Sequence, residues 1–313
     1  MNAGRPSLTQ YAWLAIIASL VNISLKLSAY WVTNSIGFLT DGLESFVNVG
    51  ASCLALAVIK VSQQPPDEEH TFGHEKAEYF SGGVEGALIF MAAAIALISS
   101  VPRFYHPVAV LDLGTGAVLS LTASLVNLMV GLSLRKQGRI HQSLALEADA
   151  QHLLSDVVFS VGVVLGVALT HLTHWETWDP LVGVTVSIYM AGVGVMLVRR
   201  AVDGLLDASM SAPEMAQIHE VMDAFRNDRI DFHALRTRRA GRSCFMQVHV
   251  LVPGEWTVRK GHQLLEDLEQ ALRTRIPTLR IITHLEPLED PCSFEDIPLD
   301  REAADALIGV TGL

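Results

Sequence analysis

LALEADAQHLLSDVVFSVGVVLGVALTHL, residues 144–172, is the stretch whose reading decides the fold. It is long and apolar enough to cross a bilayer, which takes about 20 residues as a helix. Yet it holds His152 and Asp156, four apart and therefore on one helical face, a turn from each other. An imidazole and a carboxylate are expensive in hydrocarbon, so such a pair within a span marks an ion pathway by default. The run TDGLESFVNVGAS, residues 40–52, repeats the pattern: Asp41, Glu44 and Asn48 stand at i, i+3 and i+7, as do Asp149, His152 and Asp156. Two such polar stripes turned toward each other can enclose one metal ion.

Working outward, half of the 313 residues are hydrophobic and 18% are charged. That is too apolar for a purely soluble chain and too long for one membrane bundle, so a membrane domain plus a soluble one is expected. A formal charge of −11 argues against nucleic acid or an anionic membrane face as the main partner. It suits a handler of cations or a generically acidic soluble domain, and charge alone does not separate the two. Cys53, Cys244 and Cys292 fall in no C-x-x-C spacing, so neither a disulfide framework nor a thiolate zinc site is indicated. Only Arg5 precedes the first apolar run and no small-residue cleavage site follows, which predicts an uncleaved first span.

Spans are predicted at 11–32, 36–61, 80–101, 113–134, 144–172 and 181–198. Arg135, Lys136 and Arg139 are expected in the loop between the fourth and fifth, and Arg199 and Arg200 after the sixth, whereas 171–180 (HLTHWETWDP) has no Lys or Arg. Arg103 is the exception, and the positive-inside rule puts both termini in the cytoplasm. Trp175 and Trp178 fit an interfacial belt. Lys26 in the first span reads as structural, and Asn22 and Asn127 as helix–helix hydrogen-bonding residues.

The loop 62–76 (SQQPPDEEHTFGHEK) holds Asp67, His70 and His74, which fit either a solvated acidic loop or a site converging on a divalent ion such as Zn2+. From about residue 211 the composition is that of a soluble domain, with helices predicted at 213–226 and 258–276 and strands at 232–239, 243–252 and 279–285. Helix, two strands, helix and strand make a small α+β sandwich. His233, His249, His262 and His284 are spread over its elements, and strand alternation puts His284 and Glu286 on one face. Each alone is an ordinary histidine; together they favour metal.

As a set, His152-x-x-x-Asp156, HTFGHEKAE at 70–78, LRTRRAG after His233 and HLEP at 284–287 resemble a cation diffusion facilitator, nearest the bacterial zinc and ferrous-iron efflux type. The resemblance implies a membrane protein: a six-transmembrane-helix bundle at 1–208, a C-terminal cytoplasmic α+β domain of metallochaperone-like α-β-β-α-β order at 209–290, and a tail at 291–313. It implies a homodimer in the bacterial cytoplasmic (inner) membrane, exchanging Zn2+, Fe2+ or Mn2+ for protons. The transport site then falls on Glu44, Asn48, His152 and Asp156, and the loop site on Asp67, His70 and His74. A binuclear cytoplasmic site falls on His233, His249, His262, His284 and Glu286. Lys76 and Asp207 occupy the places of a dimer-linked ion pair.

Three positions depart from the usual pattern, in which Asp stands where this chain has Glu44, Asn48 and Glu286. An amide oxygen is a neutral ligand that favours harder ions and takes up no proton on release. Asp41 or Asp149 can serve as a fourth ligand, a supporting group or a pathway residue. The rival to transport is a metal-sensing or scaffold relative with a weakened transport site. A membrane metalloenzyme ranks below both, because no H-E-x-x-H helix and no nucleophile with a positioned base is present.

Overall fold

The computed structural model describes residues 8–33, 36–105, 115–175 and 177–294. The chain divides into two compact units, Met1–Leu205 and Leu206–Leu313. In the first, every apolar run closes into a helix: α1 (Leu8–Thr33), α2 (Ile36–Ser62), α3 (Ala77–Ser100), α4 (Thr115–His141), α5 (Leu144–Thr173) and α6 (Trp178–Leu205). In lipid a helix satisfies every backbone N–H and C=O within the segment. Among the described residues five of these helices are long and apolar enough to cross a membrane, and α2 contributes the shorter apolar stretch Asn48–Ser62. Trp13, Ile17, Phe90, Ile95, Met129 and Ile188 point outward, as lipid-facing residues do.

Two helices run further than hydropathy suggests. Arg135, Lys136 and Arg139 lie within α4, not in a loop, and Arg199 and Arg200 lie within α6. Hydropathy marks where the lipid ends, whereas Arg, Lys and Gln are good helix formers, so the helix continues past it, and Arg139 suits the C-terminal end of α4. Between α4 and α5, Gln142 takes a positive φ of 52° and Ser143 caps α5 by accepting from the Leu146 N–H.

Helix α5 is the centre of the bundle. Its Leu146, Ala150 and Leu153 pack with Ala12, Ile16, Leu56, Ile59 and Leu134 from α1, α2 and α4. Its Ala148 joins Ile89, Ala93, Met190, Val193 and Leu197 from α3 and α6. A helix covered on both flanks must bury its polar stripe as well. Asn22 donates to Asn127 between α1 and α4, and Lys26 is only 5% exposed.

Helices α3 and α6 touch backbone to backbone at Gly86 and Gly194. A Cβ on Gly194 would stand 2.7 Å from the Gly86 carbonyl oxygen and 2.8 Å from the Phe90 nitrogen. Gly194→Ala is expected to destabilise the bundle by roughly 1–3 kcal/mol, the usual cost of overpacking. Gly192→Ala, with nothing within 4 Å of its Cβ, is expected to be neutral. Thermal unfolding of the two purified variants checks this, and equal midpoints would mean the helices part without cost.

The second unit begins with α7 (Ala212–Phe225), started by a capping box between Ser211 and Glu214. Strands β1 (Asp231–Ala240) and β2 (Ser243–Val252) pair antiparallel, α8 (Val258–Arg275) crosses over, and β3 (Leu279–Pro287) returns parallel to β2. The sheet order is β1-β2-β3. Alternate β2 residues Cys244, Met246, Val248, Val250 and Val252 pack on Ile218 and Met222 of α7 and Leu268 and Leu272 of α8. That leaves the odd-numbered β2 residues, His249 among them, on the other face. A short 3-10 turn, Pro291–Phe294, follows; the rest of the tail lies outside the described residues.

Candidate metal centres

Helices α2 and α5 meet through Asn48. Its amide oxygen lies 2.6 Å from His152 Nε2, and its Nδ2 donates to Asp156 Oδ2 at 2.5 Å. Asn48 and His152 are buried, at 5% and 7% exposed. Because the Asn48 oxygen can only accept, Nε2 carries the imidazole proton in this arrangement. A cation can take that nitrogen only after the proton leaves or moves to Nδ1. The structure thus brings three of the four expected transport ligands together; the side chains of Glu44 and Asp41 lie outside the described residues. Asp149, one turn nearer the α5 N-terminus, accepts from Ser52 of α2 at 2.8 Å.

The loop after α2 folds around Asp67. Its carboxylate accepts the backbone N–H groups of His70 at 2.6 Å and Glu69 at 3.0 Å, an Asx turn that local side-chain chemistry specifies. Gly73, at φ 94°, turns the chain so that His74 comes back toward Asp67. His70 Nδ1 and His74 Nε2 lie 3.4 Å and 3.3 Å from the two carboxylate oxygens, and the imidazole centroids are 4.5 Å apart. One ligand atom from each of the three residues falls within 4.8 Å of the others. The His70 N–H, opposed by desolvation and helped by the imidazole charge of His74, the Glu69 N–H and the His70 imidazole, holds the Asp67 carboxyl below its ordinary range. Asp67 therefore stays an anionic ligand as the medium acidifies, down to below the pH at which a free aspartate is neutralised.

In the second unit the strand register sets three imidazoles in a row. His233 pairs with His249 across β1 and β2, and His249 with His284 across β2 and β3, all on the face away from the helices. A β-bulge lies between His233 and Arg236, with Ala234 at a positive φ of 50°. Bulges re-aim side chains next to sites, and this one shifts the register by one residue so that His233, not Ala234, pairs with His249. Glu286 is the common partner: its oxygens lie 2.8 Å from His233 Nε2, 3.1 Å from His249 Nδ1 and 3.3 Å from His284 Nδ1. His233, His249 and Glu286 meet within 4.8 Å. Among the described residues the buried His233 Nδ1 has no partner.

His262 is not part of this group: it sits on α8, 69% exposed, 3.8 Å from Glu266 a turn away. The physical reason is topological, since α8 covers the opposite face of the sheet from the histidine row. Lys76 donates to the Leu205 carbonyl at 3.4 Å, and Asp207 accepts from Arg238 at 3.1 Å.

A carboxylate shared by three imidazoles makes one clear expectation. Glu286→Ala should weaken Zn2+ binding to the second unit by roughly 100-fold, at or above the ~10–100-fold lost when an outer partner of a metal ligand is removed. Competitive titration of the full chain against a chelating dye checks it, and an unchanged affinity would exclude Glu286 as a ligand.

Comparisons with known proteins identify the family. The model of the cation efflux transmembrane domain matches residues 12–206, and that of the cation efflux protein cytoplasmic domain matches 210–288. An uncharacterized transporter of Synechocystis sp. is 43% identical over 299 residues, covering 93% of this chain and 96% of that one. The cation-efflux pump FieF of Escherichia coli O1:K1 / APEC is 29% identical over 277 residues, covering 88% and 90%. The metal-bound C-terminal domain of the CzcD transporter from Thermotoga maritima is 24% identical, with 26% of this chain and 99% of that one covered at a TM-score of 0.24. With both family models matched in order and nearly the whole chain covered, this is an integral membrane protein of the cation efflux family, the cation diffusion facilitators.

Proposed function

We propose that this cation efflux protein is a divalent metal cation:proton antiporter that exports Zn2+ or Fe2+, or a harder ion such as Mn2+, as a homodimer in a bacterial inner membrane with both termini cytoplasmic. The observation that carries the reading is the meeting of Asn48, His152 and Asp156 between two apolar helices. One nitrogen and a set of oxygens suit first-row divalent ions. Imidazole and carboxylate bind metal only when deprotonated, so metal and protons compete for the same lone pairs. A site opened first to one side and then the other returns protons as it delivers metal. A differential affinity of a few kcal/mol between the two facing states is enough to run the cycle.

Arg135, Lys136 and Arg139 of α4 and Arg199 and Arg200 of α6 support the orientation. The Asp67 loop and the Glu286 cluster then both face the cytoplasm, where they sense metal load. His262, and the pairing of Lys76 with Asp207, come into play when two copies associate.

One observation favours the rival reading of a metal-sensing scaffold: Asn48, a neutral amide that takes up no proton, stands between His152 and Asp156. Flux into proteoliposomes separates the two. A pH gradient is expected to drive Zn2+, Fe2+ or Mn2+ through the reconstituted protein; metal binding without flux of any of the three would leave the scaffold reading.

A further inference from the structure

A third polar stripe faces the first two. On α3, Glu78, Ser81 and Glu85 stand at i, i+3 and i+7, the spacing already seen on α2 and α5. The stripes meet in tiers. At the N-terminal ends of α3 and α5, Glu78 accepts from Ser62 of α2 at 2.9 Å and from Ser143, the cap of α5, at 2.5 Å. Two turns further along α3, Glu85 accepts from Ser81 at 3.0 Å and is completely buried. Asp149, 2% exposed, accepts from Ser52. One turn beyond Asp149 lies the Asn48, His152 and Asp156 trio.

The middle tier is chemically unfinished. Each carboxylate has one oxygen held by a serine, while Glu85 Oε2 and Asp149 Oδ2 are buried with no hydrogen-bond partner among the described residues. No Lys, Arg or His side chain forms an ion pair or hydrogen bond with either one in that set. Their helices pack together on both sides of this level: a Cβ on Gly82 of α3 would stand 2.9 Å from Leu144 of α5, and Ala148 of α5 packs with Ile89 of α3. Two buried carboxyl groups with unpartnered oxygens call for a cation or for protons, and a divalent ion displaces those protons when it binds.

We propose that Glu85 and Asp149, backed by Ser81 and Ser52, form a second cation site inside the bundle, an all-oxygen station for a divalent ion one helical turn from the transport trio. The inference rests on the transport reading above, under which the station lies on the cytoplasmic side of the trio. Carboxylate and hydroxyl oxygens without nitrogen or sulfur suit the harder ions, Mn2+ and Fe2+ ahead of Zn2+. An incoming ion exchanges water for the Glu78 tier, then this station, and reaches the imidazole last. The station filters for oxygen-loving ions before His152 is offered.

Mn2+ binding to the purified full chain, counted by equilibrium dialysis with the metal alone, tests this. Glu85→Gln and Asp149→Asn are each expected to lose one Mn2+ per chain, the same one, while His152→Ala loses a different one. The Glu85→Gln, His152→Ala double variant loses both. Thermal unfolding of the purified full chain, compared with the wild type, reports that the bundle of each variant is folded. If Glu85→Gln does not fold, Glu85→Asp decides: it should keep the count with roughly 10-fold or more weaker affinity, the scale of a displaced metal-site group. A full Mn2+ count at wild-type affinity in Glu85→Asp and a full count in Asp149→Asn would overturn the station, whatever happens to flux. Failure of the transport reading looks different: the wild-type protein would bind the station's Mn2+ yet move no metal into proteoliposomes.

Discussion

Replacing Asp156 with Ala is expected to cut metal flux by at least about 100-fold, because the loss of a charged ligand exceeds the ~10–100-fold cost of losing a supporting group. The change removes the carboxylate that Asn48 Nδ2 grips at 2.5 Å and frees the amide to rotate. Asn48, a neutral group, stays beside His152. The bundle itself should survive, since α5 is held by Leu146, Ala150 and Leu153 on one flank and Ala148 on the other. Initial rates in proteoliposomes check this. A variant that loses less than threefold would place the metal elsewhere.

Asn48→Asp is expected to change the order of preferred ions, not merely the rate. It exchanges the amide donor facing Asp156 for a second carboxylate oxygen at hydrogen-bond distance. Two carboxylates so close require a cation or a shared proton between them. Divalent binding should tighten by about tenfold or more, the measured scale for one added charge-assisted contact being ~1.5–3 kcal/mol. The dependence of flux on pH should steepen, because the site gains a group that protons and metal contest. A competition panel of Zn2+, Fe2+ and Mn2+ reads both effects, and an unchanged ion order would show that Asn48 does not tune selectivity.

Much of this arrangement is legible in the residue string, and the gaps have physical causes. The matching i, i+3, i+7 spacing on α2 and α5 announces that Asn48, His152 and Asp156 can share an ion, because helical period alone fixes which residues face together. The stripe on α3 obeys the same period. It is less visible because Glu78 sits inside the HTFGHEKAE motif and Ser81 is a small, uncharged residue common in spans. Glu85 alone, in SGGVEGALIF, carried the signal that an ionisable residue in an apolar run gives.

The helix ends at His141 and Leu205 lie beyond the apolar runs because lipid contact and helix propensity stop at different residues. In the second unit the order of helices and strands follows from periodicity. The row of His233, His249 and His284 depends on strand register and on the bulge at Ala234, which no local pattern discloses. The same register leaves His262 out, since a helix crossing over one face cannot present a residue on the other.

The central claim is that a buried imidazole and carboxylate from neighbouring helices hold one cation that protons displace. It is tested most directly by recording metal entry and proton exit together in liposomes carrying the wild-type protein or Asp156→Ala. Metal entering as protons leave at a fixed ratio in the wild type, with both movements absent in the variant, is the result this account requires. Metal entry without proton exit, or wild-type movement of both through Asp156→Ala, would contradict it.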